Sequence, residues 1–184
     1  MFIKIKELEL RKLEFDETIQ PGIIDFGDDL RQTAPLKSAG RAELLREHRG
    51  GRDVVEDIRL VGRFSTEIET HCARCLEAVD NTVTEDFDLV YRPQGVDARG
   101  DEVSINQAET EIGYYQGEGL LLEDVLKEQI LLALPVKQIC NAACKGLCPQ
   151  CGTNLNTGSC DCVNTVPDPR WSALQDIRKK LERS

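Results

Sequence analysis

The stretch Leu60-Val61-Gly62-Arg63-Phe64-Ser65-Thr66-Glu67-Ile68-Glu69-Thr70-His71-Cys72-Ala73-Arg74-Cys75 decides the fold. Leu60, Gly62, Phe64, Thr66 and Ile68 share one parity, while Arg63, Glu67 and Glu69, with Arg59 before them, share the other. A period of two predicts a half-buried strand that runs straight into a cysteine pair. Upstream, segments 38–48 and 53–70 flank Arg49-Gly50-Gly51-Arg52, a turn able to supply positive φ, and together read as a hairpin. Downstream, Val79, Val83, Phe87, Leu89 and Tyr91 alternate through 79–91, with Asn81 and Glu85 as exceptions, and predict a third strand. Cys72 and Cys75 then fall at a strand-to-strand corner.

Working outward, Ile3 and Ile5 alternate with Lys4 and Lys6 as an opening strand, and Pro21-Gly22 breaks the chain. Residues 93–119, with Pro93, Gly95, Gly100 and Gly113, read as a long acidic loop. From 120 to 134 the period becomes helical: Leu122, Val125, Leu126, Ile130 and Ala133 recur at three- and four-residue steps, and Pro135 stops the helix. A polar cysteine segment follows. Asp168-Pro169 then caps a short amphipathic helix over 172–183 carrying Leu174, Ile177 and Leu181, with Trp171 as its anchor. The expected fold is α+β. Residues 1–135 form an antiparallel, partly barrel-like sheet with a packed helix and the acidic loop 93–119; residues 136–184 form a Cys-rich zinc module and a short terminal helix.

The chain has 184 residues, 40% hydrophobic but 5% aromatic, so its core is aliphatic and modest. No apolar run reaches the roughly 18 residues that span a bilayer, and 1–10 lacks the apolar run of a signal peptide, which predicts a cytoplasmic protein without membrane association. In a reducing compartment, clustered cysteines read as metal ligands before disulfides. The formal charge is −10, and it is uneven: residues 1–134 hold 16 Lys/Arg against 29 Asp/Glu, and residues from 135 onward seven against four. Such a charge disfavours phosphate and favours a basic partner, and any RNA contact belongs to the C-terminal tail.

Eight cysteines fall in four close pairs: Cys72/Cys75, Cys140/Cys144, Cys148/Cys151 and Cys160/Cys162. A Cys-x-x-Cys turn brings two sulfurs to one ion, and Gly152 after Cys151 lets the chain turn tightly there. Chain economy groups Cys148, Cys151, Cys160 and Cys162 at one zinc, and Cys72, Cys75, Cys140 and Cys144 at a second. A single C-terminal site with Cys72 and Cys75 free, mixed membership through Cys144 and Cys148, and iron–sulfur ligation are the competing arrangements. A zinc-dependent or redox enzyme is the rival reading. It is disfavoured because catalytic zinc keeps an open position and commonly recruits histidine, and the chain has only His48 and His71.

Cys72-Ala73-Arg74-Cys75-Leu76, the acidic region, Ile130-Leu131-Leu132-Ala133-Leu134-Pro135, Cys144-Lys145-Gly146-Leu147-Cys148-Pro149-Gln150-Cys151-Gly152, Asn154-Leu155-Asn156 and Cys160-Asp161-Cys162 together resemble the bacterial and plastid YceD family. Asp168-Pro169-Arg170-Trp171 resembles that family's tail. The resemblance implies a non-catalytic role in ribosome biogenesis, in accumulation of large-subunit (23S) rRNA, and a partner that is a basic large-subunit ribosomal protein or a pre-ribosomal particle. Residues 76–119 carry eleven acids and two arginines, so Asp86, Asp88, Asp101 and Glu102 are the expected partner-binding residues. Direct RNA binding by the zinc module is the alternative.

Overall fold

The computed structural model describes residues 1–48, 54–96 and 112–162. Its elements are β1 (Phe2–Lys4), α1 (Ile5–Leu8), β2 (Leu13–Ile19), β3 (Arg31–Gln32), β4 (Leu36–His48), β5 (Val54–His71), β6 (Ala78–Pro93), β7 (Ile112–Tyr115), β8 (Gly119–Leu121) and α2 (Leu122–Ala133). The chain divides into two compact units, residues Met1–His71 with Ala78–Gln138, and residues Cys72–Glu77 with Ile139–Ser184.

The first unit is built on the two strands of the predicted hairpin, whose expected turn at Arg49-Gly50-Gly51-Arg52 lies outside the described residues. β4 and β5 pair antiparallel from Lys37↔Ser65 to His48↔Val54, and β5 pairs β6 from Ile58↔Tyr91 to His71↔Ala78. The predicted face is the buried one: Leu60 and Ile68 are fully buried and Phe64 nearly so. Phe15, Leu36, Val83, Phe87 and Tyr91 join them, and α2 adds Leu122, Val125, Leu126 and Ile130. The opposite face is polar and laddered by charge: Arg63 binds Asp86 through two bonds of 2.6 and 2.8 Å, and Arg59 binds Asp88 through bonds of 2.8 and 2.6 Å. The core face therefore owes its stability to apolar area removed from water, about 1.5–3 kcal/mol for each fully buried large side chain.

One cross-strand row shapes this sheet. Phe15 lies opposite Gly40, Gly40 opposite Gly62, and Gly62 opposite Phe87. A Cβ on Gly40 would stand 2.3 Å from the Val61 carbonyl oxygen and 2.8 Å from Phe15 Cζ, and one on Gly62 would stand 2.8 Å from Phe87 Cζ. The two rings thus fold inward over two glycines, filling the space that side chains would occupy.

Three expectations are corrected. The sheet is open, not barrel-like: the order β2-β4-β5-β6-β7 leaves β2 and β7 at its ends, with β3 paired to β5 off this path. Nor is it wholly antiparallel, because β7 pairs parallel to β6 from Val90↔Ile112 to Pro93↔Tyr115. That strand lies inside the stretch read as an acidic loop, whose remaining residues 97–111 lie outside the described residues. The opening strand is shorter than its alternation suggested. β1 pairs β8, Ile3 opposite Leu120, and Ile5 already starts α1. The terminal helix expected over 172–183 also lies outside the described residues.

α2 carries Glu123 and Asp124 in its first turn, where acids complement the helix dipole. It ends at Ala133, and the C-cap Leu134 has the extended backbone (φ −73°, ψ 138°) that a residue before proline favours. No helix among the described residues is long and apolar enough to cross a membrane.

Candidate metal centres

The second unit gathers all eight cysteines into two groups of four. Cys72, Cys75, Cys140 and Cys144 form one and Cys148, Cys151, Cys160 and Cys162 the other, with the sulfurs of each group within 4.8 Å of one another. This is the two-site grouping read from chain economy. Cys72 Sγ lies 3.9 Å from Cys144 Sγ, and Cys75 Sγ 3.7 Å from Cys140 Sγ. Four thiolates held about 2.3 Å from a tetrahedral ion stand about 3.8 Å apart, so the first group fits such an ion. Either group can hold a metal ion. His71 is exposed and belongs to neither.

Both Cys-x-x-Cys segments make the same turn. In one, the Gly152 amide donates to the Cys148 carbonyl at 2.9 Å, with Gly152 at φ +74°. In the other, the Leu76 amide donates to the Cys72 carbonyl at 2.9 Å, with Leu76 at φ +61°. Leucine stands where glycine would be free of strain, which marks how strongly the turn is imposed at this position. The sequence marks both pairs as Cys-x-x-Cys turns and favours the second for its glycine; the structure gives both the same backbone bond.

Around the sulfurs, N–H groups are aimed inward. The Cys140 amide reaches Cys72 Sγ at 3.4 Å and the Arg74 amide at 3.5 Å, and the Cys140 amide in particular holds that thiol down at about 6. Asn156 Nδ2 lies 3.4 Å from Cys144 Sγ and lowers that thiol as well. In the second group the Thr153 hydroxyl, 3.1 Å from Cys151 Sγ, holds Cys151 down at about 6, while the Cys151 and Gln150 amides lower Cys148. Cys140, hydrogen-bonded to Cys144 and desolvated, is pushed up to about 12, and Cys162, hydrogen-bonded to Cys151 and desolvated, likewise. Crowded thiolates repel one another, so part of each group stays protonated until a cation balances the charge.

Asn154 and Asn156 are the supporting residues that residue-type reasoning did not assign. Asn156 Oδ1 accepts from the Lys145 amide at 2.8 Å, Asn156 Nδ2 donates to Asn154 Oδ1 at 2.9 Å, and Asn154 Nδ2 donates to Glu77 Oε1 at 3.0 Å. Arg74 Nη1 donates to the Cys144 carbonyl at 3.0 Å. The available signal was the Asn-x-Asn spacing directly after the second Cys-x-x-Cys-Gly. Of the expected partner-binding acids, Asp86 and Asp88 lie on β6 and each takes a bidentate arginine; Asp101 and Glu102 lie outside the described residues.

Fold and site together define a sheet protein with two groups of four cysteines, each able to hold a metal ion. Residues 60–178, more than half of the chain, match the family described as "Large ribosomal RNA subunit accumulation protein YceD", and the chain belongs to that family. It is 25% identical over 151 residues to "Large ribosomal RNA subunit accumulation protein YCED homolog 1, chloroplastic" of Arabidopsis thaliana, covering 68% of this chain and 46% of that protein. It is 30% identical over 124 residues to an uncharacterized protein of Mycobacterium tuberculosis, covering 67% of this chain and 57% of that one. A Zea mays protein with the same name as the Arabidopsis relative is 28% identical over 131 residues, covering 57% of this chain and 44% of its own. The chain thus spans about half the length of the curated relatives it matches. No solved structure matches it.

Proposed function

We propose that this chain is a non-catalytic ribosome-biogenesis factor, cytoplasmic, that supports accumulation of the large-subunit rRNA and holds one structural zinc in each cysteine group. The rRNA part of this reading is supported by the family match, and the metal part by one observation: each group brings four cysteine sulfurs within 4.8 Å of one another. Four thiols from the chain saturate a tetrahedral ion and leave no position for a substrate or an activated water, the arrangement of structural and not catalytic zinc. All-sulfur donors with tetrahedral spacing suit zinc, and an iron–sulfur cluster would use the same ligands. When bound, the metal supplies folding free energy, of the order of 10 kcal/mol for small zinc modules, to a segment with few buried apolar residues.

Acting by binding, the protein would engage a basic large-subunit ribosomal protein or a pre-ribosomal particle. Charge supports that choice, since the chain is acidic and repels phosphate. The bidentate arginines on Asp86 and Asp88 neutralise those two acids locally, so they contribute less to a cation-binding surface than their number suggests. The test is made in the organism that encodes the chain: large-subunit rRNA is measured relative to small-subunit rRNA after deletion, and after replacement by Cys72→Ser or Cys148→Ser. A fall in the ratio in all three supports the reading. An unchanged ratio after deletion refutes the role in accumulation, and full rescue by both cysteine variants refutes the metal's part in it.

A further inference from the structure

We infer that a groove in the first unit, walled by tyrosines and by one face of α2, is a docking site for a basic segment of a partner protein and takes a lysine or arginine side chain. This rests on the binding role proposed above and names its surface. The groove encloses about 360 Å³ and is lined by Phe2, Tyr91, Tyr114, Tyr115, Asp124 and Glu128 among others, a size suited to one long side chain and its neighbours. Tyr91 and Tyr115 are buried in its floor, 7% and 5% exposed, whereas Phe2 and Tyr114 stand at the rim, 45% and 54% exposed. The floor hydroxyls are committed within the protein. Tyr115 donates to the Glu56 carbonyl at 2.8 Å and Tyr91 to Glu128 Oε2 at 3.4 Å.

The groove is therefore aromatic on one side and carboxylate on the other. Asp124 and Glu128 are one turn apart on α2 and share a face. No lysine or arginine lines the groove, and neither acid forms an ion pair among the described residues, in contrast to Asp86 and Asp88. Aromatic faces beside unneutralised carboxylates attract a cation with an aliphatic stem and repel phosphate. A basic protein segment has the first property and RNA the second.

The inference is tested with the metal-loaded full chain by fluorescence anisotropy, using a labelled arginine-glycine peptide and, in parallel, a labelled single-stranded RNA of similar length. The peptide should bind, and Tyr114→Ala and the pair Asp124→Asn with Glu128→Gln should each weaken it about tenfold, while Asp86→Asn with Asp88→Asn changes it less than about twofold. Tyr114 is exposed, so its variant keeps the fold, checked by an unchanged thermal midpoint. The inference is overturned if the groove variants bind like the parent, if all acidic variants weaken binding alike, or if RNA binds and depends on the groove. A cell readout separates the two levels. If deletion lowers the large-subunit rRNA ratio but Tyr114→Ala restores it fully, the groove fails and the binding role stands; if deletion changes nothing, the role itself fails.

Discussion

Gly40→Ala perturbs the Phe15, Gly40, Gly62, Phe87 row at its tightest point. The added methyl would sit 2.3 Å from the Val61 carbonyl oxygen, 2.7 Å from Gly62 Cα and 2.8 Å from Phe15 Cζ. Two of these three neighbours are backbone, so relief requires β4 and β5 to separate, not a side chain to turn. Overpacking of this kind costs about 1–3 kcal/mol, and weakening of adjacent ladder hydrogen bonds adds about 1 kcal/mol. The expected loss is therefore about 3 kcal/mol, or about 10 °C in Tm for a chain of this size. Urea denaturation of the metal-loaded protein, followed by circular dichroism, measures it. Phe15→Leu in the same background should restore little, because the backbone contacts remain. Gly22→Ala, at φ +88° with nothing nearby, should cost only the positive-φ penalty, about 1–2 kcal/mol. A Gly40→Ala loss below about 0.5 kcal/mol, within the range of ordinary surface substitutions, would refute the packing of the row.

The two knuckles predict opposite responses. Gly152→Leu should destabilise the metal-loaded protein by about 1–2 kcal/mol, whereas Leu76→Gly should be neutral or stabilising, since it removes left-handed strain at a leucine 62% exposed; thermal unfolding of both variants checks this. Asp86 and Asp88 have carboxyls held below their ordinary values by hydrogen bonds from Arg63 and Arg59. A depressed folded value gives stability that is present above the ordinary carboxyl range and lost as pH falls through the lowered values. The variant with both changed to Asn should therefore lose less stability than the parent between pH 7 and the acid side of that range, measured by urea midpoints at each pH; an unchanged difference sinks the pairing.

Much of the first unit was legible because its signals are local. The alternation of β5 and β6 and the heptad-like spacing of α2 depend on residues close in sequence, and the structure places them on the faces expected. The cysteine grouping was legible because four pairs with short internal spacing leave few economical partitions. β7 was not, because Ile112-Gly113-Tyr114-Tyr115 is short, follows a polar stretch and is recruited by a parallel neighbour that no local pattern announces. That the sheet stays open was equally hidden, because it is a property of strand order. Asp86 and Asp88 looked like free acids because only the β5–β6 register puts Arg63 opposite Asp86. The glycine row shows the same dependence, since each glycine alone reads as a weak point in a strand, and only the register reveals the rings that cover the pair.

The claim that the eight cysteines form two independent metal centres is tested most directly by counting metal. Native mass spectrometry, with elemental analysis, of the full chain purified under reducing conditions should find two zinc ions per chain. Cys72→Ser and Cys148→Ser should each retain one, and the double variant should retain none. A single ion in the parent, two in either single variant, or loss of both ions from one substitution would contradict the two-centre account.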